Sequence, residues 1–206
     1  MTFPHIKYED IKNYAADYFR EINLAASSID DSQLRSAVDI LSEAYTRGAM
    51  IFSCGNGGSA AIANHLVCDH CKLVRTDTNL ISRIYSLSTT IEIITAIGND
   101  LSYDEIFEYQ LKSLANAGDV LITISSSGDS ENIVRAANWA KQNYLSVISL
   151  TGFSGGRSAK IADVNLHVNA NNYGVIEDVH QSIMHLLAQF IRMKYMNEEL
   201  IMQRKF

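Results

Sequence analysis

Proline is nearly absent from this chain: Pro4 is the only one in 206 residues, so no later loop is stiffened by a fixed φ. Cysteine is scarce and odd in number, with Cys54, Cys68 and Cys71 alone, which argues against a disulfide scaffold. No apolar run approaches the roughly 18 residues of a membrane span, so none is expected. Positive charge is outweighed, 17 Lys and Arg against 23 Asp and Glu, a net charge of -6. Such a chain lacks the electrostatic footprint of a nucleic-acid binder. The stretch Met1-Thr2-Phe3-Pro4-His5 has neither a basic nor an apolar leader region. No signal peptide is expected, and the chain reads as soluble and cytoplasmic.

What is present is the composition of a globular core, 47% hydrophobic against 19% charged. The length fits one domain with a helical extension. Helical periodicity predicts a first helix over 8–26 and a second over 32–47, with Gly48 suited to cap the latter. Five short apolar runs then alternate with helical patterns. The runs are Met50–Cys54, Ile84–Leu87, Val120–Ile124, Val147–Leu150 and Val164–Val168. The intervening helices are predicted near 59–73, 90–97, 103–115, 130–142 and 157–161, with a break at Gly98-Asn99-Asp100 and a last helix over 175–199. This alternation predicts an α/β, three-layer sandwich around a five-stranded parallel sheet, preceded by an N-terminal helical hairpin. Residues 1–47 would form that hairpin, serving oligomer packing, and 48–206 the α/β domain, the two together making one structural unit.

Two of the strands end in loops of small polar residues. Met50–Cys54 runs into Gly55-Asn56-Gly57-Gly58-Ser59, and Val120–Ile124 into Ser125-Ser126-Ser127-Gly128-Asp129-Ser130. Unpaired N–H groups where a strand feeds a helix favour an anion, and neighbouring hydroxyls add donors without bulk. The first loop is not a Walker loop, since no Gly-Lys-Ser/Thr follows, and it lacks the third glycine of G-x-G-x-x-G. Two such loops point to a small phosphorylated ligand held by neutral donors. Ser130 is also placed to cap the helix that follows.

Two helices carry further polar residues. His65 and Asp69 share a face at i, i+4, fit for metal binding or for acid–base work. Cys68 and Cys71 form a C-x-x-C pair, but without a second such pair they read more simply as small packing residues. On the last helix Glu177, Gln181 and His185 recur every four residues among apolar neighbours, which suggests that they meet other polar groups.

Together these motifs resemble the sugar isomerase (SIS) domain family, and within it the bacterial phosphoheptose isomerases. The resemblance rests on Ser53–Ser59, Gly98–Asp100, Gly118–Leu121, Ile124–Ser130 and Leu150–Gly152, in that order, and spans nearly the whole chain. It implies a flavodoxin-like SIS fold and a homotetramer with active sites between subunits. It implies conversion of sedoheptulose 7-phosphate to D-glycero-D-manno-heptose 7-phosphate through an enediol, a step toward lipopolysaccharide or capsule heptose. Ser59, Ser125, Ser127 and Ser130 would hold the phosphate. Asn56, Gly57 and Asp100 would contact sugar hydroxyls or shape the pocket, with Glu177 also facing the substrate.

By the same resemblance the catalytic base falls on Asp69 and its partner acid on His185. The chain departs from the family in having Asp69 where a glutamate is usual and Glu177 where a glutamine is usual. The shorter side chain sets the carboxylate about 1.5 Å further back unless the backbone shifts. His65, Asp69, Glu177 and His185 make a set of two imidazoles and two carboxylates suited to a divalent metal, zinc first. Two other functions compete: a non-catalytic phosphosugar-binding or regulatory protein, favoured by loss of the glutamate, and an isomerase of another sugar phosphate.

Overall fold

The computed structural model describes residues 3–206. Five strands form one parallel sheet: β1 (Met50–Gly55), β2 (Arg83–Ser86), β3 (Val120–Ser125), β4 (Ser146–Thr151) and β5 (Val164–His167), in the order β2-β1-β3-β4-β5. The sheet matches the sequence reading, each strand lying within two residues of its predicted bounds. In chain order the helices are α1 (Ile11–Ala26), α2 (Asp31–Arg47), α3 (Gly58–Cys68), α4 (Ile91–Asp100), α5 (Glu108–Leu114), α6 (Glu131–Gln142), α7 (Ser158–Ile161), α8 (Tyr173–Tyr195) and α9 (Glu198–Ile201). None is long and apolar enough to cross a membrane.

Side chains alternate across the sheet, so each strand feeds two cores. Ile51, Val120, Ile122, Ile124, Ile148 and Leu150 pack with residues of α2, α3 and α8. Phe52, Leu121 and Val147 pack on the other face with Ile97 of α4, Leu111 of α5 and Ile133 of α6. The three layers follow directly. The hairpin packs directly on this sheet and its helices. α2 buries Ala37, Val38, Leu41, Ala44 and Tyr45 in the first core, so it is part of a layer rather than an appendage. Its start is capped by Asp30, whose Oδ1 accepts from the Ser32 N–H at 2.7 Å, and its end by Gly48 at φ 69. Among the apolar side chains left in solvent are Ile11, Phe19 and Leu24 of α1 and Leu186 and Phe190 of α8.

Four helix boundaries differ from the periodicity reading. Gly98-Asn99-Asp100 does not break α4, which runs through Asp100 and ends with the Leu101 N–H donating to the Ile97 carbonyl. The predicted 103–115 helix is a 3-10 turn, Tyr103–Glu105, followed by α5. The last helix stops at Tyr195, where extended Met196 separates it from α9. The predicted 59–73 helix changes character at Asp69, where a single π turn, Asp69–Leu73, takes over from α3. π turns inside helices widen the backbone locally and recur at functional sites. Here the turn seats His70 in the core, fully buried, with its Nδ1 hydrogen-bonded to the Tyr45 hydroxyl of α2. Arg192 of α8, also buried, pairs with Asp77 at 3.1 Å and donates to the Thr76 and Lys205 carbonyls, tying the chain's end to α8.

The order of the strands places the ligand crevice. From β1 the chain goes to β2 on one side and returns to β3 on the other, so their outgoing loops part at the β1–β3 boundary. In open parallel sheets ligands bind at that point, beyond the carboxyl ends of the strands. The two small-residue loops leave from β1 and β3.

Candidate functional site

A cavity of about 160 Å³ opens between these loops. Its wall carries Asn56 and Ser59 from the first loop, Ser125, Ser126, Ser127 and Ser130 from the second, and Tyr173 and Glu177 from α8. Neither lysine nor arginine contributes. Gly55 is required here because a Cβ would fall 2.5 Å from the Ser59 carbonyl oxygen, and Gly57 at φ 53 turns the chain into α3. Asn56 is held by a reciprocal amide pair with Asn132, at 2.9 and 3.0 Å, and by the Tyr103 hydroxyl at 2.9 Å.

The serine loop is braced from behind. Gly128, at φ 64, lies so close to the loop after β4 that a Cβ would sit 2.0 Å from the Gly155 carbonyl oxygen. Arg157 bonds Asp129 through Nε at 2.5 Å and Glu131 through Nη1 at 2.8 Å, outside the cavity. The Ser125 and Ser127 hydroxyls accept from the Gly128 and Asp129 N–H groups at 3.2 and 3.3 Å, leaving their own O–H groups free to donate. Ser59 and Ser126 are buried, 4% and 5% exposed, yet their hydroxyls have no hydrogen-bond partner among the described residues. Ser130 occupies the cap position of α6, but contrary to expectation its hydroxyl makes no cap bond. These hydroxyls form a neutral, donor-rich pocket against the positive end of α3.

Farther along α3 and α8 lies a second cluster. Asp69 sits between two imidazoles, its Oδ2 at 2.6 Å from His185 Nδ1 and its Oδ1 at 3.5 Å from His65 Nε2. The remaining ring nitrogens both face Gln181 Nε2, at 3.1 Å for His65 Nδ1 and 3.0 Å for His185 Nε2. With the amide nitrogen assigned there, Gln181 donates one hydrogen to each ring. The nitrogen of each imidazole that faces Gln181 then accepts, and the one that faces Asp69 is left to donate. Gln181 and Asp69 thus bridge the two imidazoles from opposite sides. The cluster opens to solvent, with His65 and His185 about half and one third exposed. One nitrogen from each histidine and one Asp69 oxygen all lie within 4.8 Å of one another. Imidazole nitrogen and carboxylate oxygen are zinc-type donors, so these three residues fit a metal.

Glu177 is not part of that group. Its carboxylate lies over the first residue of α3, where a Cβ on Gly58 would come within 2.5 Å of Oε2. The four-ligand set expected from the sequence therefore resolves into a triad and a separate cavity carboxylate. Asp100 also stands apart: it is exposed at the end of α4, bonded by Asn99 at 2.8 Å, and does not line the cavity. Cys68 and Cys71 are exposed, unbridged thiols. Ser126 and Tyr173 join the cavity unannounced by the sequence reading, though Ser126 lay within the quoted motif. The four-residue spacing places Gln181 on the same stripe without assigning it a role. Beside Glu177, the Tyr18 hydroxyl of α1 donates to Asp178 at 2.6 Å, and burial with this bond pushes its pKa up to about 12.

The chain is similar to known proteins. Residues 16–152 match the SIS domain model. The phosphoheptose isomerase of Nitratidesulfovibrio vulgaris is 40% identical over 162 residues, 79% of this chain and 75% of that protein. That of Colwellia psychrerythraea is 35% identical over 89% of this chain and 94% of its own. The solved structure of the Neisseria gonorrhoeae phosphoheptose isomerase superposes with a TM-score of 0.80 at 32% identity, covering 88% of this chain and 98% of that one. With the fold, the two loops and these relatives in agreement, the chain belongs to the SIS-domain family, in its phosphoheptose isomerase branch.

Proposed function

We propose that this protein is an aldose–ketose isomerase converting sedoheptulose 7-phosphate to D-glycero-D-manno-heptose 7-phosphate. The observation that carries the reading is the presence of two chemically distinct stations along α3 and α8. A serine cavity suited to phosphate lies at one end, and a carboxylate–imidazole pair lies further down. Ser59 and His65 are six residues apart, about 9 Å along the helix. An open seven-carbon sugar with phosphate at one end and carbonyl at the other has a length on the order of 10 Å from ordinary bond lengths.

In this reading Ser59, Ser125, Ser127 and Ser130 hold the phosphate, Asn56 and Gly57 shape the cavity, and binding energy from the remote phosphate positions the reacting carbons. Asp69 takes the proton from C1 of the ketose while His185 gives one to the C2 carbonyl oxygen, yielding the enediol. Returning the carbon-bound proton to C2, with loss of the C1 hydroxyl proton, gives the aldose. The π turn that begins at Asp69 supplies a local backbone shift of the kind a shortened side chain needs. Zinc held by His65, Asp69 and His185 would add Lewis-acid polarisation of the carbonyl. Asp100 does not line the cavity of its own chain, and in this reading it serves across a subunit boundary. A cytoplasmic homotetramer supplying heptose for lipopolysaccharide or capsule completes the reading. The exposed apolar side chains of α1 and α8 support association.

Conversion of sedoheptulose 7-phosphate, followed by NMR, tests the activity. Asp69→Asn is expected to abolish turnover while retaining phosphosugar binding. Binding without conversion by the unaltered protein would instead make it a silent phosphosugar binder, and normal turnover by the variant would remove Asp69 from the chemistry.

A further inference from the structure

We propose that Ser88, outside the cavity, is a positioning residue for its first wall: the hydroxyl replaces a missing strand neighbour at Gly55 and so fixes the turn that presents Asn56 and Ser59. This rests on the reading of the serine cavity as the phosphate site. It adds a residue on which the affinity of that site depends from behind.

The need for such a residue arises where the sheet ends unevenly. The last pairing of β1 with β2 is Ser53 with Ser86, and the Leu87 N–H, donating to the Ser53 carbonyl at 2.8 Å, closes that ladder. On the other side β3 continues, pairing Cys54 with Thr123 and Gly55 with Ile124. Along a strand the N–H and C=O of alternate residues face the same side, so Gly55 faces the side of Ser53. No strand remains there. A backbone donor and acceptor left in that position need partners from elsewhere.

Ser88 supplies both with one atom. Its Oγ accepts from the Gly55 N–H at 3.1 Å and donates to the Gly55 carbonyl at 2.8 Å. Ser88 is itself held, its N–H donating to Ser86 Oγ at 3.2 Å. The Ser86 and Thr89 hydroxyls both donate to Asn64 Oδ1 of α3, at 2.6 and 3.0 Å. The segment after β2 is thus fastened to α3 on one side and to Gly55 on the other. The turn it braces is tight, as the close approach of Gly55 to the Ser59 carbonyl shows, and Asn56 and Ser59 both line the cavity. Removing the Ser88 hydroxyl leaves two backbone groups open in a part-buried place, a cost that the turn sheds by moving toward water. Ser59, four residues on, moves with it. Ser88 does not line the cavity, so its influence on a bound anion passes through this turn.

The test is an NMR-monitored titration of the full-length protein with inorganic phosphate. Ser88→Ala is expected to weaken phosphate binding about tenfold, the scale of one lost hydrogen bond to an anion. Ser88→Thr keeps the hydroxyl and is expected to bind within about threefold of the unaltered protein. Where Ser88→Ala does not fold, Ser88→Cys, with its weakly bonding thiol, carries the same expectation. Tyr45→Phe controls for stability alone: it strands a buried group away from the cavity and is expected to leave phosphate binding unchanged. Unchanged binding without the Ser88 hydroxyl, an equal loss in Ser88→Thr, or an equal loss in Tyr45→Phe overturns the proposal. Ser59→Ala separates the two readings. A loss there without one at Ser88 refutes the positioning role and leaves the phosphate cavity standing, whereas binding indifferent to Ser59 removes the cavity and the proposal with it. Phosphate affinity is read without turnover, so absence of heptose conversion would count against the isomerase reading and leave this result standing.

Discussion

Lowering the pH from 7 to 5 should cost this protein stability through His180, by an amount that its burial fixes. His180 lies on the inner side of α8 with no exposed surface, and its Nε2–H donates to the Thr151 carbonyl at the end of β4, 3.2 Å away. Its Nδ1 has no partner among the described residues. Burial pushes its pKa down from 6.5 to about 4; the Thr151 bond opposes the shift, and nearby His167 adds to it. The depressed folded value means that between pH 6.5 and 4 the unfolded chain binds the proton more readily. Stability is therefore full above pH 6.5 and falls as the pH drops toward 4. Linkage over that interval gives a loss of roughly 2 kcal/mol between pH 7 and 5. For a chain of this length, that corresponds to about 4–8 °C in melting temperature. Thermal melts of the unaltered protein and of His180→Gln, which keeps a donor for Thr151 but does not titrate, isolate the effect. The variant should lose correspondingly less on acidification. Parallel losses in the two proteins, or an imidazole signal assigned to His180 titrating near 6.5, would refute the reasoning.

Tyr45→Phe leaves His70 buried without its hydroxyl partner and should cost about 1–3 kcal/mol in urea denaturation. Combined with His70→Leu it should cost less than the sum of the single changes, because the stranded group is removed. Ser130→Ala should weaken phosphosugar binding about 10- to 150-fold, the worth of one charge-assisted hydrogen bond. Its melting temperature should change little, because the Ser130 hydroxyl makes no cap bond to lose.

Legibility in the sequence followed the range of the interactions involved. The five strands, the Gly48 cap and the two small-residue loops are local patterns, and the structure keeps them. Gly98 misleads because a glycine is tolerated inside a helix whose neighbours are anchored; Ile97 of α4 is buried in the second core. The π turn at Asp69 has no local signature: it accompanies the burial of His70 against Tyr45, a partner 25 residues away. The stripe of Glu177, Gln181 and His185 was visible from its four-residue spacing, which fixes a face but not what each side chain meets. One stripe thus supplies a carboxylate to the serine cavity and an amide and an imidazole to the Asp69 cluster. Treating it as one set grouped Glu177 with the metal donors.

The contact between Gly128 and the loop after β4 has a consequence for how such a protein can change. Gly156 repeats it from the other side, where a Cβ would fall 2.5 Å from the Gly128 carbonyl oxygen. Two backbones pressed together leave no slack for a larger side chain, an insertion or a new loop shape. The serine loop, proposed to grip the group common to all phosphosugars, is therefore mutationally frozen. Variation has room on the α8 side, where Tyr173, Glu177 and Gln181 are partly or largely exposed. A lineage acquiring a different sugar would be expected to rewrite the helix and keep the loop.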